Sequence, residues 1–310
     1  MHRSAKRRIA LAVSGLLAAG GLATAGVAQS MAASAAVTVT SHFTWTTSSS
    51  NVAAFYSMIN NGATNGQPNA LLFVTPAYDP GGICGCATDP APVGVIWAPG
   101  AGQWAILNED LSPMPIGVSF NVLVVEKPSA QAFSVTATSQ NIFANGMTIN
   151  NSVINGKGNS LLQVTQSMPD GIGSVPNGHP IGVVYGLGSR GNLWDIQNLD
   201  NATMPTGAKF NILVGSKPSN GGKAVLLTGT SANTFGSDTF ISNAETTGNP
   251  NTVVFITENA DPSLHFGSGD VAQVGLLYDT SPRDVAAVFN ESGSAMPTAT
   301  HYFNLLIFPS

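Results

Sequence analysis

One pattern written three times fixes most of what this chain can become. Gln103 to Val124, QWAILNEDLSPMPIGVSFNVLV, returns as Leu193 to Val214, LWDIQNLDNATMPTGAKFNILV, and in worn form as Asp284 to Ile307, DVAAVFNESGSAMPTATHYFNLLI. Asn108, Asn198 and Asn290 head the copies, 90 and then 92 residues apart. Met114-Pro115, Met204-Pro205 and Met296-Pro297 follow at a matching distance, and Phe120-Asn121, Phe210-Asn211 and Phe303-Asn304 close each copy. A fixed period of this length is one supersecondary unit repeated.

The unit is built of strands. In the first copy short runs rich in Val, Ile, Phe, Trp and Thr cover His42 to Thr46, Ala54 to Ile59, Ala70 to Thr75, Val93 to Trp97, Trp104 to Leu107 and Ser119 to Val125. Gly, Pro, Asn or Asp bounds each run, which is strand patterning with turn punctuation. The other copies follow the same order, and no window carries a 3.6-residue apolar stripe. The expected fold is therefore all-β: three tandem β-sandwich or barrel repeats of roughly 85–90 residues, with six strands each and almost no helix. The divisions fall at residues 36–127, 128–217 and a degenerate third copy at 218–310, joined through Lys127-Pro128-Ser129 and Lys217-Pro218-Ser219. Two arrangements satisfy this, a string of self-contained blocks or a ring with a shared core. Six strands suffice to close a block on itself, which favours the string.

Residues 1–35 read as a cleaved signal peptide. A basic start (Arg3, Lys6, Arg7, Arg8) precedes an apolar run from Ile9 to Ala28 and small residues at Ala33-Ser34-Ala35. Ala23-Thr24-Ala25 is a second candidate cleavage site. Cleavage after Ala35 leaves seven basic and sixteen acidic residues, a formal charge of −9. Nucleic acid and anionic membrane surfaces are poor partners for such a chain, and no later run is long enough to span a bilayer. Charged residues are only 9% of the sequence while apolar residues are 43%. Ser, Thr, Asn and Gly fill the difference, as suits a secreted protein with a neutral polar surface over an apolar core. The two cysteines, Cys84 and Cys86, are too close together to staple distant segments. They read as a loop-local disulfide or a contact with another chain; a redox pair or half a metal site lacks further thiols.

Trp104, Ile106, Asn108 and Asp110 alternate along one strand face, and Trp194, Ile196, Asn198 and Asp200 repeat the set. An aromatic ring beside an amide and a carboxylate suits a sugar. The rival reading puts Trp and Ile in the core and lets Asn and Asp satisfy the following turn. The third copy keeps Asn290 but has Ala286 and Ser292 in place of Trp and Asp. Asn thus belongs to the fold, and Trp104 with Asp110 and Trp194 with Asp200 are the better ligand candidates. Pro92-Val93-Gly94, Pro180-Ile181-Gly182 and Gln273-Val274-Gly275 place a glycine inside a strand, the mark of a bulge or close approach. The loop before that strand differs most between copies and is the natural place for binding. Asp79, Asp170 and Asp261 recur there. Their spacing resembles no calcium loop, and turn capping is the expected role. No Gly-x-Ser-x-Gly, His-Glu-x-x-His or phosphate loop is present. No enzyme, metal or cofactor is therefore expected; a hydrolase with an unrecognised site is the lesser alternative.

Taken together, Asp-Pro-Gly-Gly, Pro-x-Gly-Val-x-Trp/Tyr, Trp-x-Ile-x-Asn-x-Asp, Met-Pro-x-Gly and Phe-Asn-Val-Leu-Val resemble an uncharacterised secreted bacterial repeat domain. The resemblance covers nearly all of the mature chain and is weakest in the third copy. It implies a small, extracellular all-β module and carries no activity with it. The expected function is a secreted, non-enzymatic binding module for a glycan or cell-wall polymer. The alternative is an adhesive or structural surface protein with protein partners.

Overall fold

The computed structural model describes residues 38–83, 87–186, 191–215, 221–260, 272–280, 283–297 and 299–309. The signal-peptide expectation, Cys84 and Cys86, Asp261 and the joint at 217–219 lie outside them. The first copy contains β1 (Ser41–Thr46), β2 (Val52–Ala53), β3 (Tyr56–Met58), β4 (Leu71–Ala77), β5 (Val93–Ala98), β6 (Gln103–Asn108) and β7 (Ser119–Val125). The second contains β8 (Ala132–Thr136), β9 (Ile142–Phe143), β10 (Gly146–Ile149), β11 (Leu162–Met168), β12 (Ile181–Tyr185), β13 (Trp194–Asn198) and β14 (Lys209–Val214). The third contains β15 (Lys223–Gly229), β16 (Thr234–Phe235), β17 (Asp238–Phe240), β18 (Val253–Asn259), β19 (Val274–Asp279), β20 (Val285–Asn290) and β21 (His301–Phe308). The chain is all-β, as its patterning requires. Two 3-10 turns, Pro80–Gly82 and Gly171–Gly173, are the helical elements among the described residues, so no helix there is long and apolar enough to cross a membrane. Each copy has seven strands where six are legible. The extra one is a two-residue piece, β2, β9 or β16, too short to show a period. The chain leaves it through a positive-φ residue, Ala54 (54°), Ala144 (36°) or Gly236 (59°).

Within a copy the strands form a sandwich. In the first, β1-β7-β4 packs on β2-β3-β6-β5. Leu72, Val74, Phe120, Val122 and Val124 interdigitate with Val95, Trp104 and Ile106 between them. The half-sheets do not stop at the copy boundary. β4 pairs in parallel with β19 of the third copy, β5 with β11 of the second, and β12 with β18. The result is three seven-stranded sheets, each holding strands from two copies. The string of self-contained blocks is therefore corrected to a closed ring. The reason lies in the outward face of the three-stranded halves. Leu71, Phe73, Leu123, Leu213, Phe255 and Leu306 sit on that face and meet in a common core drawn from all three copies. No single copy can bury them alone.

Two repeated polar residues clamp the ring around its centre. Val74 N donates to Thr165 Oγ1 (3.1 Å), Val164 N to Thr257 Oγ1 (2.9 Å) and Ile256 N to Thr75 Oγ1 (3.0 Å). The asparagines of the Phe-Asn pattern close the circuit. Asn121 Nδ2 donates to Val254 O, Asn211 Nδ2 to Leu72 O and Asn304 Nδ2 to Leu162 O, each at 3.1 Å. Every bond crosses from one copy to another. Backbone groups that strand pairing leaves over in a buried centre must find such partners.

The strand glycines sit at the seams. A Cβ on Gly94 would collide with the Glu109 carboxylate, and one on Gly275 with that of Glu291. At the remaining seam Leu199 takes the place of glutamate, and a Cβ on Gly182 would lie 2.9 Å from its Cδ2. Close approach, the sequence reading of these glycines, is what they provide. Glu109 reaches across the first seam to accept from Asn177 N (2.9 Å), and Glu291 accepts from Asp89 N (3.1 Å) between the third and first copies. Both carboxyls are 2% exposed. Burial pushes Glu109 up to about 7; backbone N–H groups of Asn177 and Gly178 hold it back. Burial pushes Glu291 up to about 8, with the Asp89 N–H opposing and the Asp89 charge adding.

Candidate functional site

The residues singled out on the repeated strand face serve the fold. Trp104 and Trp194 are 1% and 0% exposed, inside their sandwich cores. Their indole N–H groups donate to Gln67 O (2.8 Å) and Lys157 O (3.0 Å). Neither ring offers a face to a sugar, so the ligand reading of the two tryptophans is corrected. Asn108 and Asn198 are fully buried and tie down the next turn, Asn108 Nδ2 through Ser112 O (3.3 Å) and Asn198 Nδ2 through Ala202 O (3.1 Å). Asp110 and Asp200 are exposed and cap that same turn, accepting from Ser112 N (2.9 Å) and Ala202 N (3.0 Å). Asp200 also bonds the His179 ring (2.7 Å). In the third copy Ser292 Oγ does the capping, accepting from Ser294 N (3.2 Å). The Asp-to-Ser change therefore substitutes one cap for another.

The Trp-to-Ala change alters the packing of rings instead. In the first two copies the indole packs against a second ring, Trp97 (centroids 5.6 Å) or Tyr185 (5.3 Å). The third copy keeps the second ring as Tyr278, whose hydroxyl donates to Asp284 Oδ1 (2.8 Å); with Ala286 in place of the indole, Tyr278 is itself buried in the core, where Trp97 and Tyr185 are only partly so. A cleft of about 330 Å3 lies on this side of the third copy at its seam with the first, and the seam of the first and second copies has its counterpart of about 600 Å3 beside Trp104. Leu276, Tyr278 and Ala286 form the apolar side of the 330 Å3 cleft, and Thr44, Asn121, Asn249 and Asn251 bring polar groups.

The far wall is the most variable loop of the sequence, Asp79 to Ile83 of the first copy. Closure of the ring lays it against the third copy. Tyr78 N donates to Leu276 O (2.8 Å), and Asp79 Oδ1 accepts from Tyr278 N (2.6 Å). Gly82, at φ 68°, makes this approach feasible: a Cβ there would lie 2.7 Å from Thr280 Cγ2 and 3.2 Å from Pro250 Cβ. Asp79 does not cap its own 3-10 turn, contrary to expectation; its carboxylate is spent across the seam. Asp170 likewise makes no side-chain cap and pairs with Lys209. Burial pushes Asp79 up to about 6, the Tyr278 N–H opposes, and the Asp279 charge adds. Asp79 is the one acid lining the cleft among the described residues, and no base lines it there.

A family model described as a domain of unknown function, DUF7452, matches residues 29–124, 94–214 and 188–307. The chain belongs to this family. No curated protein and no solved structure matches it. Successive DUF7452 matches share residues 94–124 and 188–214. Those stretches hold the Asn, Met-Pro and Phe-Asn pattern that carries the chain from a four-stranded half-sheet to a three-stranded one. The cleft sits at a seam of the pseudo-symmetric DUF7452 ring, as does its counterpart beside Trp104. The loop of the first copy and Ala286 of the third, which both line it, are visible in the sequence; their meeting is not, because it depends on ring closure.

Proposed function

We propose that this chain is a secreted, non-enzymatic binding protein that seats one polar ring of a glycan or cell-wall polymer in the cleft between its first and third copies. The observation that carries this reading is the seam cleft itself, a concave space of about 330 Å3 between the first and third copies. Mixed lining supports it: an apolar side at Leu276 and Tyr278 suits the C–H face of a pyranose, while Asp79 and the asparagines suit its hydroxyls. A non-catalytic role is supported by Asp79 standing alone, since glycoside hydrolysis uses a pair of carboxyls. The signal-like residues 1–35 support export.

Thr44→Trp is the test. Thr44 lines the cleft from an exposed position, so an indole there enters the space without disturbing the core. A glycan array and polysaccharide pull-down identify a ligand with the natural chain. The variant is expected to fold with an unchanged far-ultraviolet spectrum and to lose at least ~10-fold in affinity, about 1.4 kcal/mol. Unchanged retention by a folded Thr44→Trp variant would remove the cleft from consideration.

A further inference from the structure

A second concavity lies on the outward face of the first copy, away from the cleft. It encloses about 430 Å3 and is lined mainly by Phe55, Tyr56, Met58, Ile96, Trp97 and Pro99. The fold does not require this apolar character. Where the first copy has Phe55, Tyr56 and Met58, the second has Asn145, Gly146 and Thr148, and the third has Ser237, Asp238 and Phe240. Phe240 is itself covered, with the Arg283 guanidinium 4.0 Å above its ring. An apolar groove kept open in one copy of three marks an interaction site.

The structure also shows what fits it. The groove's far wall is the 3-10 turn Gly171–Gly173 of the second copy, and Ile172 at its tip is 89% exposed, the most exposed large apolar side chain among the described residues. Knob and hole therefore stand side by side on one surface. A two-fold axis beside the turn sends each Ile172 into the other molecule's groove, the self-complementary arrangement of an isologous dimer. The rim carries the adjacent opposite charges Asp170 and Lys209. The same axis lets each carboxylate face the other copy's ammonium.

We infer that the occupant of this groove is a second copy of this chain, docked through reciprocal insertion of Ile172. Sedimentation velocity of the full chain over roughly micromolar to ~100 µM tests it. A reversible monomer–dimer equilibrium is expected. Ile172→Asp from the knob side and Met58→Asp from the hole side should each weaken it by ~10-fold or more. Ile172 is so exposed that its variant is expected to fold normally, which a melting curve checks. Cys84→Ser with Cys86→Ser separates this contact from a thiol link, and the dimer should persist. A monomer throughout, a dimer indifferent to both aspartates, one lost with the cysteines, or growth into open-ended polymers would each overturn the inference.

Discussion

Replacing Glu291 by Gln should flatten the alkaline side of this protein's stability profile. Glu291 is 2% exposed at the seam that closes the ring, with one oxygen taking the Asp89 N–H and the other against Gly275. Its carboxyl is pushed from an ordinary 4.5 to about 8. The folded chain therefore keeps a proton that the unfolded chain has released. A raised carboxyl contributes fully below about 4.5, and its contribution is lost as pH climbs through the folded value. At 1.36 kcal/mol per pH unit, and discounting for the charge shared with Asp89, the loss is on the order of 4 kcal/mol by pH 9. At about 2–4 °C per kcal/mol for a chain of this size, the melting temperature should fall by about 10 °C. Glu109, raised to about 7, and Asp79 and Asp89, each raised to about 6, add losses of the same sign at lower pH. Above about pH 7 the remaining slope belongs to Glu291, so the Gln variant should be nearly level there. Melting followed by circular dichroism from about pH 5 to pH 9 is the measurement. A natural chain that grows more stable with pH, or a Gln variant that keeps the full slope above pH 7, would refute the argument.

The other predictions concern the ring's fit. Gly94→Ala forces a Cβ onto the Glu109 carboxylate and should cost about 1–3 kcal/mol; adding Glu109→Ala should recover part of it, as a denaturant double-mutant cycle would show. Asn211→Ala leaves the Leu72 carbonyl buried without its partner across the axis and should cost about 1–3 kcal/mol, whereas Asp110→Ala at an exposed turn should cost no more than about 1 kcal/mol.

Much of this was legible in the residues. The three-copy beat, the strand content, the structural asparagine and the close-approach glycines all follow from local pattern, because turn chemistry and side-chain alternation act over a few residues. The ring was not legible. A strand such as Leu71–Ala77, buried along its whole length, looks the same whether its second face meets another copy or its own. Trp104 with Asp110 misled for a related reason. A tryptophan inside a small sandwich and one under a sugar share the same alternation, and only burial separates them. Asp79 misled because its partner, the N–H of Tyr278, lies 199 residues away.

Circular continuity of the sheets has a consequence for how such chains can vary in length. Beads can be added to a thread one at a time, but a ring that shuts after three members admits no fourth without losing its common core. A polypeptide carrying a single copy would have both flanks bare and would have to recruit two more molecules to shut the circle. Cutting this chain between copies should leave fragments that find one another again, and the fragments mixed in solution should sediment as one intact particle.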